Sequence, residues 1–241
     1  MARTLTVLGC DGSYPGPRGA ASGYLVSAGA TALWLDAGPG TFAELQVHCD
    51  PASLGAVLLS HEHSDHWTDV ESLGSWLLCR AGGPVPVYAP AGLAERSAFT
   101  TQGVLEWHVV QPDQELTIGE ISCRFAATDH GPTTLASRLE AVGGSPALVY
   151  SADTGASWSP EVFGEPIGTL LCDATYLRAD EGRLRHLSGH QAGAMAKAAG
   201  VDRLIVTHRW PTVSAQVLAE EAGTAFGAAV GQAAPGLTFE W

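Results

Sequence analysis

The chain has 241 residues, of which 46% are hydrophobic and 15% are charged, and this composition favours one globular domain over residues 1–241 and excludes a disordered chain. It carries 12 Lys and Arg against 25 Asp and Glu, a formal net charge of −13, which disfavours long nucleic acid as a partner. The sequence lacks both the run of about 20 apolar residues that a membrane span needs and the pattern of a signal peptide, so we expect a cytoplasmic protein with no membrane partner.

The N-terminal part of the chain predicts strands joined by a glycine-rich loop. Glycine and proline are dense between residues 9 and 19, and at that density they prevent regular secondary structure. Thr41 and Glu44 have the spacing of a capping box, which predicts that a short helix begins there. Strands are predicted around the loop at 4–8, 23–27 and 32–36, the last two as a hairpin.

Four potential metal ligands follow directly after a predicted buried strand. The run 56–60, Ala-Val-Leu-Leu-Ser, is short and apolar, which is typical of a strand covered on both faces. It leads into His61-Glu-His63-Ser-Asp65-His66. Imidazoles and carboxylates are ligands for zinc, manganese or iron, whereas the five cysteines include no Cys-x-x-Cys pair. A solvated loop rich in histidine is the alternative, but three of the nine histidines lie here.

The remainder of the chain alternates predicted helices and strands. Ser188 and Gln191 form a capping-box pattern that opens a helix over 189–197, and Gly200 follows its end. Further helices are predicted at 69–80, 92–102 and 214–222, and further strands at 105–110, 120–127, 135–141, 147–151, 167–172 and 203–207. Both halves of the chain are rich in predicted strands that are followed by helices. This pattern predicts an α/β fold in which two packed sheets lie between helical layers, a four-layer αββα sandwich.

The run His-x-His-x-Asp-His resembles the signature of the metallo-β-lactamase fold hydrolases. The other motifs of that family also occur here in order, over nearly the whole chain. Asp36 in Leu-Trp-Leu-Asp matches an aspartate with a structural role. His130 in Thr-Asp-His-Gly matches the third motif, Asp153 in Tyr-Ser-Ala-Asp the fourth, and His208 in Val-Thr-His the fifth.

The resemblance implies a centre with two divalent metal ions and a catalytic role for Asp65 beside its role as a ligand. A hydroxide bridging the two ions would then attack the substrate. Zinc is the expected metal, with manganese or iron as alternatives, because the ligands are nitrogen and oxygen. The implied ligands are His61, His63 and His130 for one ion, Asp65, His66 and His208 for the other, and Asp153 for both.

The segment His186-Leu-Ser-Gly with the helix after it resembles the C-terminal part of ribonuclease Z and related phosphodiesterases. In those enzymes the matching histidine helps the leaving oxygen to depart, which implies a catalytic role for His186. The alternative reading is a loop histidine beside a helix cap. Ribonuclease Z also carries a long basic arm between the third and fourth motifs, whereas only 22 residues separate His130 from Asp153 here. A small anionic substrate is therefore expected.

The segments Thr-Val-Leu-Gly-Cys-Asp-Gly-Ser and Cys-Asp-Ala-Thr-Tyr are similar to those of actinobacterial atypical class II cyclic-nucleotide phosphodiesterases. This similarity implies a phosphodiesterase that acts on a small phosphodiester such as a cyclic nucleotide. Three alternatives remain: a lactone, thioester or carboxylic ester hydrolase, a ribonuclease Z-type RNA endonuclease, and a metal-retaining nucleotide-binding regulatory protein.

The sequence assigns no substrate-binding residue. Four aromatic side chains adjoin the motif loops, where they either stack on a base or pack in the core. They are Trp67, Trp158, Tyr176 and Trp210. Relatives of ribonuclease Z are commonly dimers, so the resemblance implies a homodimer.

Overall fold

Two seven-stranded sheets form the centre of the molecule. The computed structural model describes residues 3–144, 146–164 and 166–241. The first sheet contains β1 (Arg3–Gly9), β2 (Gly23–Ala28), β3 (Thr31–Ala37), β4 (Ala56–Leu58), β5 (Val85–Ala89), β6 (Leu105–Val109) and β14 (Thr238–Glu240). The second contains β7 (Glu115–Ile118), β8 (Ile121–Ala127), β9 (Leu135–Ala141), β10 (Ala147–Tyr150), β11 (Ile167–Asp173), β12 (Arg203–Thr207) and β13 (Gly231–Gln232).

Each sheet has an antiparallel part and a parallel part. In the first sheet the order is β14-β1-β2-β3-β4-β5-β6, and the strands run parallel from β3 to β6. In the second the order is β13-β12-β11-β10-β9-β8-β7, and the strands run parallel from β10 to β13. Because neighbouring strands in these parts run in the same direction, their carboxyl ends all lie at one edge of the sheet.

The two sheets share one apolar core. Side chains of the first sheet, such as Leu5, Val26 and Leu33, pack in a single cluster with Leu139 and Leu171 of the second. All five are fully buried. Because strand side chains alternate between faces, the opposite face of each sheet is free to receive helices.

In the described part of the chain, five α-helices cover the outer faces of the sheets. The first sheet packs against α1 (Thr41–His48) and α3 (Val70–Cys79), with the short α2 (Ser64–Trp67) before α3. The second packs against α4 (Gly189–Ala198) and α5 (Ala215–Phe226). This arrangement confirms the four-layer αββα sandwich. Within the described ranges, every helix is too short or too polar to cross a membrane.

The capping box at Ser188 is confirmed, but the one at Thr41 is wrong. Ser188 Oγ accepts from the Gln191 backbone N–H at 3.0 Å, and Gln191 Oε1 accepts from the Ser188 N–H at 3.0 Å. At α1 the N-cap is Gly40 instead, and Thr41 Oγ1 donates to the Gly38 carbonyl. The carboxylate of Asp69 accepts from the Phe42 N–H at 2.8 Å, so a distant residue does what the local pattern assigned to Thr41.

The helix predicted over 92–102 is also wrong. Only the single 3₁₀ turn Ala94–Arg96 forms there. Ser97 and Thr100 hydrogen-bond to nearby backbone groups, and short hydroxyl side chains compete in this way with helical hydrogen bonding. The strands β7, β13 and β14 were not predicted, because each is short and none has a long apolar run.

Candidate metal centre

The candidate site lies where parallel strands of both sheets end at the same edge of the sandwich. Asp36 lies near the end of β3, and the His61-to-His66 segment follows β4. In the second sheet, Asp153 follows β10, Asp173 ends β11, and His208 follows β12. Residues far apart in sequence therefore meet because strand ends carry them to one place.

All seven residues that the sequence assigned as ligands come together at this edge. Their side-chain nitrogen and oxygen atoms form two groups, each with its atoms within 4.8 Å of one another, and a third group of the same kind joins Asp153 and His208 to Asp173 and His186. One group contains His61, His63, His130 and Asp153, and the other contains Asp65, His66 and His208. The cluster is able to bind metal. The assignment of each residue as a ligand remains a prediction.

Asp153 lies between the two groups and turns one oxygen towards each. Its Oδ2 is 3.5 Å from His61 Nε2 and 3.8 Å from His130 Nε2. Its Oδ1 is 3.2 Å from His66 Nε2 and 3.3 Å from His208 Nε2. The two oxygens of one carboxylate thus face separate sets of imidazoles, as a bridging ligand requires.

Four of the histidines are oriented by a hydrogen bond at Nδ1. His66 Nδ1 lies 2.7 Å from Asp36 Oδ2, and His130 Nδ1 lies 3.0 Å from the Arg185 carbonyl. His61 Nδ1 lies 2.9 Å from the Ser60 hydroxyl, which itself donates to Asp36. His208 Nδ1 lies 2.8 Å from the Thr175 hydroxyl, which donates to Asp173. An Nδ1–H donor in each ring leaves Nε2 as the nitrogen that faces the cluster.

Two buried polar atoms at the centre of the cluster fit a cation. Asp153 Oδ1 and His61 Nε2 form no hydrogen bond with any group in the described part of the chain. A buried carboxylate oxygen and an imidazole nitrogen without such a partner are costly, and a cation would satisfy both. The donor set of imidazoles and carboxylates suits zinc, manganese or iron.

The histidines of the cluster differ in their ionisation. Burial opposes the protonation of His66 and His208, but the Asp153 carboxylate outweighs it and raises the pKa of both. Burial lowers the pKa of His61 well below its usual value, and burial likewise lowers the pKa of His130. Both are therefore neutral, which is the form that binds metal. Burial opposes the ionisation of Asp153, but His208 and His66 outweigh it and hold the Asp153 pKa well below its usual range. The carboxylate is thus ionised.

His186 lies beside the cluster and is held by Asp173. His186 Nδ1 is 2.9 Å from Asp173 Oδ2 and 3.9 Å from Asp153 Oδ2. Its ring stacks on His208 with centroids 5.1 Å apart. Asp173 has no solvent exposure and also accepts from the Thr154 N–H at 3.1 Å. The sequence reading gave Asp173 no role, although an aspartate that ends an apolar strand before the His186 segment was an available signal.

A cavity of about 560 Å³ opens onto the cluster. Pockets for small molecules typically have volumes of about 300 to 1,000 Å³. Four candidate ligands form part of its wall, and the others lie deeper. Its lining comprises His63, Asp65, His130 and Asp153 together with Ser13, Ser64, Gly131, Leu184, Arg185 and His186.

Of the four aromatic side chains singled out in the sequence, only one has appreciable exposure. Trp67, Trp158 and Tyr176 are buried, so they pack in the core. Trp210 is half-buried and donates from Nε1 to the Ser13 hydroxyl at 3.1 Å. It therefore contacts a residue that lines the cavity and does not itself line it.

A loop from the first sheet packs against the backbone of His208. The Gly12 N–H donates to the Arg209 carbonyl at 2.9 Å. A Cβ on Gly12 would overlap the His208 carbonyl and would lie 2.8 Å from His208 Nδ1. Asp36, Ala152 and His208 have φ of 51°, 51° and 58°, a region that non-glycine residues seldom adopt. Three of the seven non-glycine residues with positive φ in the described part of the chain thus lie at the strand ends of the site.

The αββα sandwich and the His/Asp cluster at its edge are those of a metallo-hydrolase fold. The chain matches the family described as Beta-lactamase superfamily domain over residues 31–209. It belongs to that superfamily. The region matched contains Asp36 and all seven candidate ligands.

Several relatives align with almost the whole chain. The Bacillus subtilis protein named probable metallo-hydrolase YhfI is 31% identical over 98% of this chain and 99% of its own. The uncharacterized protein Rv1339 of Mycobacterium tuberculosis is 33% identical over 98% of this chain and 91% of its own. A Mycobacterium bovis ribonuclease Z is 29% identical over 87% of this chain and 86% of its own.

Solved structures share the fold. The crystal structure of B. subtilis YhfI superposes with a TM-score of 0.91 at 30% identity, covering 100% of both chains. The short form of human tRNase Z superposes with a TM-score of 0.80 at 16% identity, covering 98% of both chains. The fold of the chain is therefore that of known metallo-hydrolases.

Proposed function

We propose that this chain is a two-metal phosphodiesterase that cleaves a small phosphodiester such as a cyclic nucleotide. The observation that carries the proposal is His186, which lines the cavity beside Asp153 and is held by a fully buried carboxylate. A group that can deliver a proton is needed where an alkoxide departs, because an alkoxide is a strong base. A histidine with no role beyond the loop would not require this buried hydrogen-bond partner.

The cluster would hold the two metal ions in the groups described above, with Asp153 shared between them. Bound divalent ions, with zinc expected, would lower the pKa of water and stabilise negative charge on the attacked centre. The Nδ1 hydrogen bonds of His61, His66, His130 and His208 keep the rings oriented before any ion binds.

Two side chains at the cavity wall would handle protons. Asp173 holds His186 at Nδ1, so Nε2 faces the substrate; in the imidazolium form of the ring Nε2 carries a proton, gives it to the leaving oxygen, and leaves the ring neutral. Asp65 also lines the cavity, with Oδ2 3.3 Å from His208 Nε2, and its carboxylate can accept the proton of the attacking water. The acid and the base then act from different segments of the same wall.

The cavity and the surface charge support a small substrate. A volume of about 560 Å³ suits a nucleotide, while a net charge of −13 opposes a long RNA. The segment of 22 residues between His130 and Asp153 leaves no room for a long RNA-binding arm. The ribonuclease Z name of the M. bovis relative supports phosphodiester cleavage as the chemistry.

A substrate panel on metal-loaded protein tests this function. We expect cleavage of bis(p-nitrophenyl) phosphate and of at least one 3′,5′-cyclic nucleotide, with metal content measured on the same samples. Cleavage of lactones or thioesters without cleavage of any phosphodiester would instead support the carbonyl hydrolase alternative. Tight nucleotide binding without turnover would support the regulatory alternative.

We further propose that the protein is one domain, acts in the cytoplasm and forms a homodimer. Light scattering coupled to size exclusion would measure its mass in solution. A mass of twice 25.0 kDa is expected for the dimer.

A further inference from the structure

One basic side chain lies in the cavity of an otherwise acidic protein. Arg185 is the single Lys or Arg among the residues that line the cavity in the described part of the chain. It is exposed to solvent. The cavity wall also carries the carboxylates of Asp65 and Asp153, so Arg185 is the cationic side chain that this wall offers to an anion.

The backbone at Arg185 is fixed to the candidate metal centre. Its carbonyl lies 3.0 Å from Nδ1 of the candidate ligand His130. The Tyr176 hydroxyl donates to the carbonyls of both neighbours, Leu184 at 3.1 Å and His186 at 2.8 Å. Tyr176 itself has no solvent exposure. The arginine therefore starts from an anchored position, although its side chain is exposed.

The guanidinium of Arg185 is available for a ligand. It forms no hydrogen bond or ion pair with the groups that the structure describes, and Nη1 lies 3.9 Å from the position of a Cβ on Gly131, which also lines the cavity. Arg183, two residues earlier, differs. It pairs with Asp180 at 2.8 Å and lies over the Trp210 ring at 5.6 Å.

One acidic side chain, next to His130 in the sequence, is already occupied. The carboxylate of Asp129 accepts hydrogen bonds from the backbone N–H and the hydroxyl of Ser157. Arg185 is thus not needed to satisfy Asp129.

We propose that Arg185 binds a non-bridging phosphoryl oxygen of the substrate and makes the cavity specific for anionic phosphate esters. This inference rests on the proposed function. A guanidinium offers planar, paired donors that match two phosphoryl oxygens, and such charge-assisted hydrogen bonds are the stronger class. A neutral carbonyl ester would gain no comparable contact.

The experiment compares Arg185→Gln and Arg185→Lys with Arg183→Gln as the matched control. For bis(p-nitrophenyl) phosphate we expect Arg185→Gln to raise KM by about 10- to 100-fold, the range of one charged hydrogen bond, with kcat changed less than about threefold. Arg185→Lys should recover part of the loss. Arg183→Gln should stay within about twofold of the unchanged protein. The dissociation constant of inorganic phosphate, from calorimetry on metal-loaded protein, should rise with KM.

The possible failures can be told apart. If the unchanged protein cleaves phosphodiesters and Arg185→Gln keeps its KM and phosphate affinity, the role of Arg185 is wrong and the proposed function stands. If Arg183→Gln raises KM equally, the effect is one of general charge, which also overturns the assignment. If the unchanged protein cleaves no phosphodiester, the proposed function fails and the Arg185 assignment fails with it. Equal metal content and melting temperature in the three variants would show that folding is not the cause.

Discussion

Asp153 is the residue on which the proposed two-metal arrangement depends most. Its two oxygens face different imidazole pairs at 3.2 to 3.8 Å. Asp153→Ala would remove the carboxylate shared by both groups, so metal content and activity should fall together. Elemental analysis and turnover of bis(p-nitrophenyl) phosphate would measure both losses. The exposed Asp202 provides the control, because it precedes β12 and so lies at the opposite end of that strand from His208. Two full equivalents of metal in Asp153→Ala would contradict the bridging role.

His186 should affect chemistry and leave metal binding almost unchanged. His186→Ala removes the ring that Asp173 holds, so kcat on a cyclic nucleotide should fall by about 10²- to 10⁴-fold, the usual contribution of a general acid. A nitrophenolate leaving group is a weak base, so the loss on bis(p-nitrophenyl) phosphate should be much smaller. Steady-state kinetics on both substrates would measure this difference.

The control for His186 is the half-buried His190 on α4, which lies near Glu181 instead. His190→Ala should leave both rates within about threefold of the unchanged protein. Asp173→Asn should lower the cyclic-nucleotide rate in the same direction as His186→Ala. If His186→Ala lowers the rates on both substrates by the same small factor, His186 is not catalytic and is a loop histidine beside a helix cap.

At the residue scale, the sequence predicted the members of the cluster better than the interactions that orient them. The short spacing of His61 to His66 and the ordered motifs identified the seven residues that the structure brings together. The Ser60, Asp36 and Thr175 contacts could not be read from the sequence, because they depend on which strand ends become neighbours. Asp173 was missed although a signal was available, since it ends an apolar strand 13 residues before its partner His186.

The loop between β1 and β2 supports the end of β12 through close backbone contact. Gly12→Ala would place a methyl group against the His208 carbonyl, so either the loop or His208 must move. We expect a loss of about 1 to 3 kcal/mol in the free energy of unfolding, as for other overpacked sites, and weaker metal binding. Urea denaturation and metal titration would measure the two effects. Gly83→Ala is the control because a Cβ there meets nothing within 4 Å. Equal stability in the two variants would show that the loop tolerates the methyl group.

At the element scale, the sequence predicted elements where hydrophobic pattern and local capping agree. β11 has seven fully buried positions in a row, and α4 begins at a capping box that the local residues complete. Prediction failed at α1, where Asp69 supplies the cap from another element, and at 92–102, where hydroxyl side chains bond to the local backbone. The edge strand β14 was also not predicted, because it is a strand only through its pairing with β1, which is distant in the sequence.

The core between the two sheets predicts that the whole molecule unfolds as one unit. Buried residues of both sheets belong to one cluster, and the candidate ligands come from both halves of the chain. Tryptophan fluorescence and far-ultraviolet circular dichroism should therefore give the same midpoint in thermal unfolding. Adding zinc at about 100 times its dissociation constant should stabilise the protein by about 2.7 kcal/mol for each ion bound, and a chelator should remove the gain. Two separate transitions would indicate two domains.

The pairing of β1 with β14 brings the two ends of the described chain side by side. Thr4 is opposite Glu240, and the Trp241 N–H donates to the Arg3 carbonyl at 3.2 Å. The two ends are therefore close enough to be joined, and the fold should not depend on which residue is synthesised first.

A circular permutant should fold if a short glycine-serine linker joins residues 241 and 1 and new ends are opened between Pro112 and Asp113, in the exposed connection between the sheets. We expect unchanged metal content and a melting temperature within about 10 °C of the parent, since a cost of 1 kcal/mol corresponds to about 2 to 4 °C at this size. In such a protein the strands of the second sheet would leave the ribosome first, and His61 to His66 would be the last candidate ligands to be made.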